Sequence, residues 1–129
     1  AEFKNKNVLI VDDSIVRGTT SKEIVQMAKD AGANKVFFTS AAPPVRFPHV
    51  YGINMPNRDE LIAHDRTIAE IADHLEIDNL VYQSVESLRK SIISDSPIQD
   101  LEMSCFTGSY VTGTVNQEYL NWVENEYKS

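Results

Sequence analysis

Four consecutive apolar residues, Val8-Leu9-Ile10-Val11, run directly into the acidic pair Asp12-Asp13, and then into Ser14-Ile15-Val16-Arg17-Gly18-Thr19-Thr20-Ser21. A short, uniformly apolar run suits a parallel strand covered on both faces. Asp12 and Asp13 then emerge at its carboxyl end, which is where open α/β sheets bind their ligands. Gly18 lets the backbone approach an anion closely, and Thr19 and Thr20 add hydroxyl donors. Thr20 with Glu23 fits a capping box, so a helix is expected to open here, with its free N–H groups and positive dipole end facing the loop.

The acids and the turn suit different parts of one ligand. Two carboxylates would repel a phosphate that they touched directly. They make sense facing sugar hydroxyls or a magnesium ion, one step away from the phosphate cradle, since carboxylates accept hydrogen bonds and bind hard cations. A ribose with a 5-phosphate at one end and a leaving group at the other fits this layout.

The remaining pattern alternates. The expected elements after the first strand are a helix over 20–31, with Ile24, Met27, Ala28 and Ala31 on one face and Gly32 ending it, and a strand over 35–40. A loop with Pro43, Pro44, Pro48 and Pro56 follows, then a short helix over 59–64. Thr67 and Glu70 form a second capping box opening a helix through Leu75; a strand over 80–83 and a helix over 85–93 come next. The final expected helix, 117–127, carries the apolar stripe Tyr119, Leu120, Val123 and Tyr127. This β-α-β-α-β order implies an α/β fold: a parallel sheet with flanking helices and right-handed crossovers.

Composition limits the partners. At 129 residues the chain supports one modest core. No apolar run approaches the ~20 residues of a membrane span. A net charge of −7 argues against a nucleic-acid partner bound through a broad basic face. From Asp95 onward six acids face the single base Lys128, which reads as a solvated surface. With Cys105 as its only cysteine the chain has no internal disulfide, in keeping with a reducing, cytoplasmic setting.

The segment 8–20 closely resembles the phosphoribosyl pyrophosphate (PRPP) signature of type I phosphoribosyltransferases. Within them it is most similar to the amidophosphoribosyltransferase family. Ser40-Ala41-Ala42-Pro43, Arg46-Phe47-Pro48, Val50-Tyr51-Gly52-Ile53, Glu60-Leu61-Ile62-Ala63 and Cys105-Phe106-Thr107-Gly108-Ser109-Tyr110-Val111-Thr112 carry the likeness across nearly the whole chain. The resemblance implies a partial type I phosphoribosyltransferase fold. It places Asp12 and Asp13 against the ribose hydroxyls and the Mg2+ of PRPP, and Val16, Arg17, Gly18, Thr19 and Thr20 around the 5-phosphate. It implies displacement of pyrophosphate by ammonia to give 5-phosphoribosylamine in purine biosynthesis, with purine nucleotides as further ligands; a homo-oligomer is expected separately, because an exposed strand edge invites pairing with a neighbour. No residue of this chain is assigned a catalytic proton transfer; the carboxylates would favour the ribosyl cation-like state electrostatically.

Members of the family begin with a glutaminase domain whose nucleophile is an N-terminal cysteine. This chain opens Ala1-Glu2-Phe3, and its PRPP signature begins at residue 8. It is therefore expected to be a C-terminal portion of the transferase domain, 1–129, inactive by itself. Some members hold an iron–sulfur cluster partly through a Cys-x-x-Cys pair. Here Glu102 stands three before Cys105, so a cluster is not expected, and Cys105 reads as a small buried side chain.

Other residues have plainer readings beside functional ones. Arg46, in the loop 41–57, either pairs with a phosphate or belongs to a proline-stiffened structural loop. Arg17 either steers anions or points to solvent. His49, His64 and His74 lack metal-ligand spacing and read as polar surface or satisfied core residues. Three other functions compete. A response-regulator receiver domain also opens with an acidic pair, but the following strands end Phe38-Thr39-Ser40 and near Gln83-Ser84, without a phosphoacceptor Asp. A different PRPP user, or a PRPP-sensing regulator, would share the loop but not the later segments. A non-catalytic phosphate-binding or oligomerisation fragment would share everything except turnover.

Overall fold

The computed structural model describes residues 2–52 and 57–128, with the side chain of Tyr127 left out. Ile53 and Pro56, counted in the second loop, and the Tyr127 side chain of the final stripe therefore lie outside the described residues.

Three parallel strands form one sheet in the order β1-β2-β3: β1 (Asn7–Asp12), β2 (Lys35–Ser40) and β3 (Asn79–Tyr82). Val8 pairs with Val36, Asp12 with Ser40, and Ser40 with Tyr82, so the three strands end level at their carboxyl edge. Helix α1 (Thr19–Asp30) links β1 to β2, and α2 (Ile68–Leu75) lies between β2 and β3. The alternation read from the sequence is thus present, and the fold is α/β with a parallel sheet and flanking helices.

The core lies on one face of the sheet. Val36, Phe38 and Leu80 point into it and meet Val25 and Ala28 of α1, Ile71 and Leu75 of α2, and Ile15, Ile62 and Ala63 from loops. Phe38 is wholly buried at the centre; truncating such a residue to Ala costs about 3–5 kcal/mol. The helices land on the same side because both crossovers step the sheet in one direction, and such crossovers share one hand.

The opposite face corrects the first expectation. Alternate strand residues point to opposite faces, and Leu9, Val11 and Val81 are 62%, 70% and 55% exposed. The apolar run of β1 is therefore covered on one face only, because α1 and α2 both pack on the other.

The helices show further differences. In α1 the buried residues are Ser21, Val25 and Ala28, whereas Met27 is 70% exposed and Ala31 lies at the exposed C-cap. The expected stripe was displaced because the helix begins at Thr19 and turns its Ser21–Val25–Ala28 row to the sheet. Gly32 follows the C-cap with φ +88°, as a helix stop requires. Thr67 does cap α2, accepting from the Glu70 N–H at 3.2 Å. The expected helix over 59–64 is only a 3-10 turn, Arg58–Glu60. Helix α3 (Val85–Ile93) is capped by Ser84 and buries no residue. The short α4 (Ser104–Thr107), unforeseen in the sequence, inserts the buried Ser104.

Helix α5 (Gln117–Lys128) is tied down by polar bonds more than by its apolar stripe. Leu120 is buried, but Tyr119 is 40% exposed. The Arg58 guanidinium instead grips Glu124 through Nε–Oε1 at 2.6 Å and Nη2–Oε2 at 2.9 Å, and also donates to Asn121 Oδ1 at 2.7 Å.

Candidate functional site

At the carboxyl edge of β1 the chain opens an accessible hollow of about 340 Å³, lined by Asp12, Asp13, Ser14, Val16, Arg17, Gly18, Thr19, Thr20 and Ser21. All seven site residues read from the sequence line it, brought together by one strand end, one turn and one helix start.

The acidic pair is held by the sheet. The N–H groups of Ala41 and Ala42 donate to the carbonyls of Asp12 and Asp13, both at 2.9 Å, prolonging the β1–β2 ladder beyond the strand. Asp12 is half-buried, and its Oδ1 accepts the N–H of Asp13 at 2.8 Å. Asp13 is exposed and takes only a long bond, 3.3 Å, from the Ser14 hydroxyl. Much of the acceptor capacity of these carboxylates is therefore left for a ligand.

The turn ends on Gly18, at φ +79° the N-cap of α1. Here the expected capping box is corrected: no side chain caps the helix, and Thr20 lies already inside it. The first backbone bond at this end runs from Lys22 N–H to the Gly18 carbonyl at 2.9 Å. The N–H groups of Thr19, Thr20 and Ser21 precede that bond, and the first turn holds no acid. An uncapped, acid-free helix start of this kind presents donors and a positive dipole end to an anion.

The segment 60–62 packs behind the loop. Ile62 N–H donates to the Val16 carbonyl at 2.9 Å, and the Ile62 side chain fills the space a β-carbon at Gly18 would need. Arg17 does not simply point into solvent: its Nε and Nη2 both donate to Glu60 Oε2, at 3.3 and 3.1 Å. Neither Glu60 nor Ile62 stood out in the sequence except as part of the resembling segment Glu60–Ala63. A contact across 43 positions leaves no local pattern to read.

Arg46 lies elsewhere. Its Nη1 donates to the carbonyls of Ala63 and Arg66 at 2.7 and 2.8 Å, so it clamps one loop to another. It borders a second hollow with Phe47, His64, Asp65, Arg66 and Thr67, and is absent from the lining of the hollow at the end of β1. His49 reaches Glu102 at 3.1 Å, His64 reaches the Arg46 carbonyl at 3.3 Å, and His74 is exposed. Cys105 is partly buried; burial, reinforced by the nearby Glu102 charge, pushes its thiol upward in pKa, away from thiolate reactivity.

No cluster of three or more His, Cys, Asp or Glu side chains among the described residues could hold a metal ion. Asp12 and Asp13 nonetheless suit magnesium. Mg2+ takes hard oxygen donors and is commonly bound by one or two carboxylates, with water and ligand phosphates completing the shell. No helix among the described residues is long and apolar enough to cross a membrane.

No protein-family model matches the chain. Individual relatives do. It is 54% identical over 127 residues to the amidophosphoribosyltransferase of Haemophilus influenzae, a match covering 98% of this chain and 25% of that protein. With the amidophosphoribosyltransferase of Saccharomyces cerevisiae it shares 50% identity over 129 residues, 100% of this chain and again 25% of the relative. Among solved structures it is similar to the glutamine PRPP amidotransferase from B. subtilis complexed with ADP and GMP. That match has a TM-score of 0.76 and 40% identity, over 84% of this chain and 24% of the other. The chain thus spans about a quarter of the length of these relatives.

Proposed function

We infer that this chain, which in sequence and fold is the counterpart of about a quarter of an amidophosphoribosyltransferase, supplies the PRPP-binding part of such an enzyme. The reaction we assign to the whole protein is displacement of pyrophosphate from C1 of PRPP by ammonia, giving 5-phosphoribosylamine for purine biosynthesis in the cytoplasm. The chain is then a C-terminal portion of the transferase domain, and we expect it to bind substrate without turning it over alone.

One observation carries this reading. The carboxylates of Asp12 and Asp13 and the uncapped start of α1 line a single hollow. The loop 16–20 would hold the 5-phosphate through backbone N–H groups, with the Thr19 and Thr20 hydroxyls adding donors. Asp12 and Asp13 would accept from the ribose hydroxyls and favour the positive charge that develops on the ribose as pyrophosphate leaves. A magnesium ion on the same acids would supply charge neutralisation for the departing pyrophosphate. A nucleoside 5′-monophosphate shares the ribose 5-phosphate of PRPP, so purine nucleotides are proposed as competing ligands. This agrees with the nucleotides named for the B. subtilis enzyme.

We also propose self-association of the chain. The exposed apolar residues Leu9, Val11 and Val81 share one sheet face, and β1 pairs on one side only among the described residues. Open strand edges and uncovered apolar faces favour pairing with a second copy. For the central proposal, calorimetric titration of the chain with PRPP, with and without Mg2+, is the test. Saturable, Mg2+-enhanced binding that GMP displaces is expected; equal heats with PRPP and with an unphosphorylated ribose would refute it.

A further inference from the structure

Arg17 is the only cation among the described residues that line the hollow, and its guanidinium already leans on a carboxylate. Nε and Nη2 converge on a single oxygen, Glu60 Oε2, at 3.3 and 3.1 Å. The other lining charges are the two acids Asp12 and Asp13. With Arg17 neutralised by Glu60, the side chains around the hollow offer an incoming phosphate more repulsion than attraction.

The pair is not what shapes the loop. Its two side chains are 53% and 44% exposed, and exposed pairs of this kind add little to stability. The loop is fixed by the Ile62–Val16 backbone bond, by the Ile62 side chain against Gly18, and by the Ala41 and Ala42 bonds to the acidic pair. Glu60 therefore governs where the Arg17 guanidinium rests more than how the backbone runs.

We propose that Glu60 is a positioning residue that withholds Arg17 from the site, so that a phosphate-bearing ligand and the Glu60 carboxylate compete for one guanidinium. Glu60 is then a negative determinant of anion affinity, because its carboxylate offsets the charge of Arg17 and holds the guanidinium by Nε and Nη2. The inference rests on the reading that the hollow takes a sugar phosphate.

The test is a double-mutant cycle on the full 129-residue chain. Ribose 5-phosphate is titrated into wild type, Glu60→Gln, Arg17→Gln and the double variant, and binding is followed at the Gly18 amide. Glu60→Gln keeps the shape of the side chain and an acceptor oxygen but gives up the charge. It is expected to tighten binding about two- to fivefold, the equilibrium range of a half-exposed ion pair. Arg17→Gln weakens binding, and adding Glu60→Gln to it changes nothing further. Weaker or unchanged binding by Glu60→Gln overturns the inference. So does equal tightening in both backgrounds, which would mark a general field effect of the carboxylate. A wild-type chain that does not bind ribose 5-phosphate at all overturns the sugar-phosphate reading and the inference with it. Binding by wild type without the expected cycle overturns the inference alone.

Discussion

The side chain of Ile62 occupies the space into which a β-carbon on Gly18 would project, while the Ile62 N–H holds the Val16 carbonyl at 2.9 Å. Residue 18 also has φ +79°. Two independent constraints, backbone handedness and a neighbour, therefore demand glycine at the cap of the helix that faces the hollow. Gly18→Ala is expected to cost about 1–2 kcal/mol for the left-handed backbone alone, and more from the clash. Binding of PRPP should fall with it. Chemical denaturation and titration of the same variant measure both; a variant as stable as wild type contradicts the packing.

Asp12 sits at the end of β1, half-buried and bonded to its neighbour's N–H at 2.8 Å. Asp12→Asn keeps the shape and the acceptor oxygen but removes the charge. We expect stability to stay within about 0.5 kcal/mol of wild type, as for most changes outside the core. Mg2+-dependent PRPP binding should drop at least tenfold, an order-of-magnitude figure for a lost charge contact. In the whole enzyme the same change should lower the ammonia-dependent rate; an unchanged rate would remove Asp12 from the role proposed for it.

The grip of Arg58 on Glu124 makes the docking of α5 depend on pH. Hydrogen bonding from Arg58 holds the Glu124 carboxyl below its ordinary pKa of 4.5, outweighing the opposing effect of burial. A carboxyl lowered in the folded state stabilises that state above its unfolded pKa, and the benefit fades as pH falls through the folded value. The stability gap between wild type and Glu124→Gln should therefore be full at neutral pH and shrink below about pH 4.5. Denaturation of both proteins across this range, read by the fluorescence of Trp122 on α5, checks it; a gap constant with pH would contradict the assignment.

Tyr82 ends β3 with its hydroxyl buried and without a hydrogen-bond partner among the described residues. Burial pushes its pKa up to about 12, so it stays neutral across the working range. Removing an unmatched buried hydroxyl relieves its desolvation penalty. Tyr82→Phe is expected to be neutral or stabilising by up to about 1 kcal/mol. A clear loss of thermal stability would mean that the hydroxyl is matched.

Leu9 projects from the uncovered face of the sheet. Leu9→Lys should leave monomer stability within about 0.5 kcal/mol while weakening self-association, since edge and face charges block pairing. Sedimentation of both proteins over a concentration series decides this; equal association would move the contact elsewhere.

The residues that were legible in the sequence share a property: their signal is local. The strand-acid-turn-helix order of 8–21 needs no distant partner, so seven of the nine residues that line the hollow could be named from it, Ser14 and Ser21 being the two that were not. The Thr67–Glu70 box fixed the start of α2 for the same reason. The misreadings arose where a distant surface decides. Nothing within β1 says that α1 and α2 both pack on one face, leaving Leu9 and Val11 in solvent. Thr20 with Glu23 is a sound local cap, yet the left-handed Gly18, seated against Ile62, starts the helix earlier. Glu60 reaches Arg17 from 43 residues away, and Arg46 turns to the carbonyls of Ala63 and Arg66, contacts that only the tertiary fold creates.

The central claim, that the strand end and helix start form one cradle for PRPP, is tested most directly by backbone amide NMR of the chain titrated with PRPP and Mg2+. Saturable shifts centred on Asp12 to Thr20 are expected, largest at the Gly18, Thr19 and Thr20 amides, and lost in Gly18→Ala. A well-dispersed spectrum in which those amides do not move would contradict it.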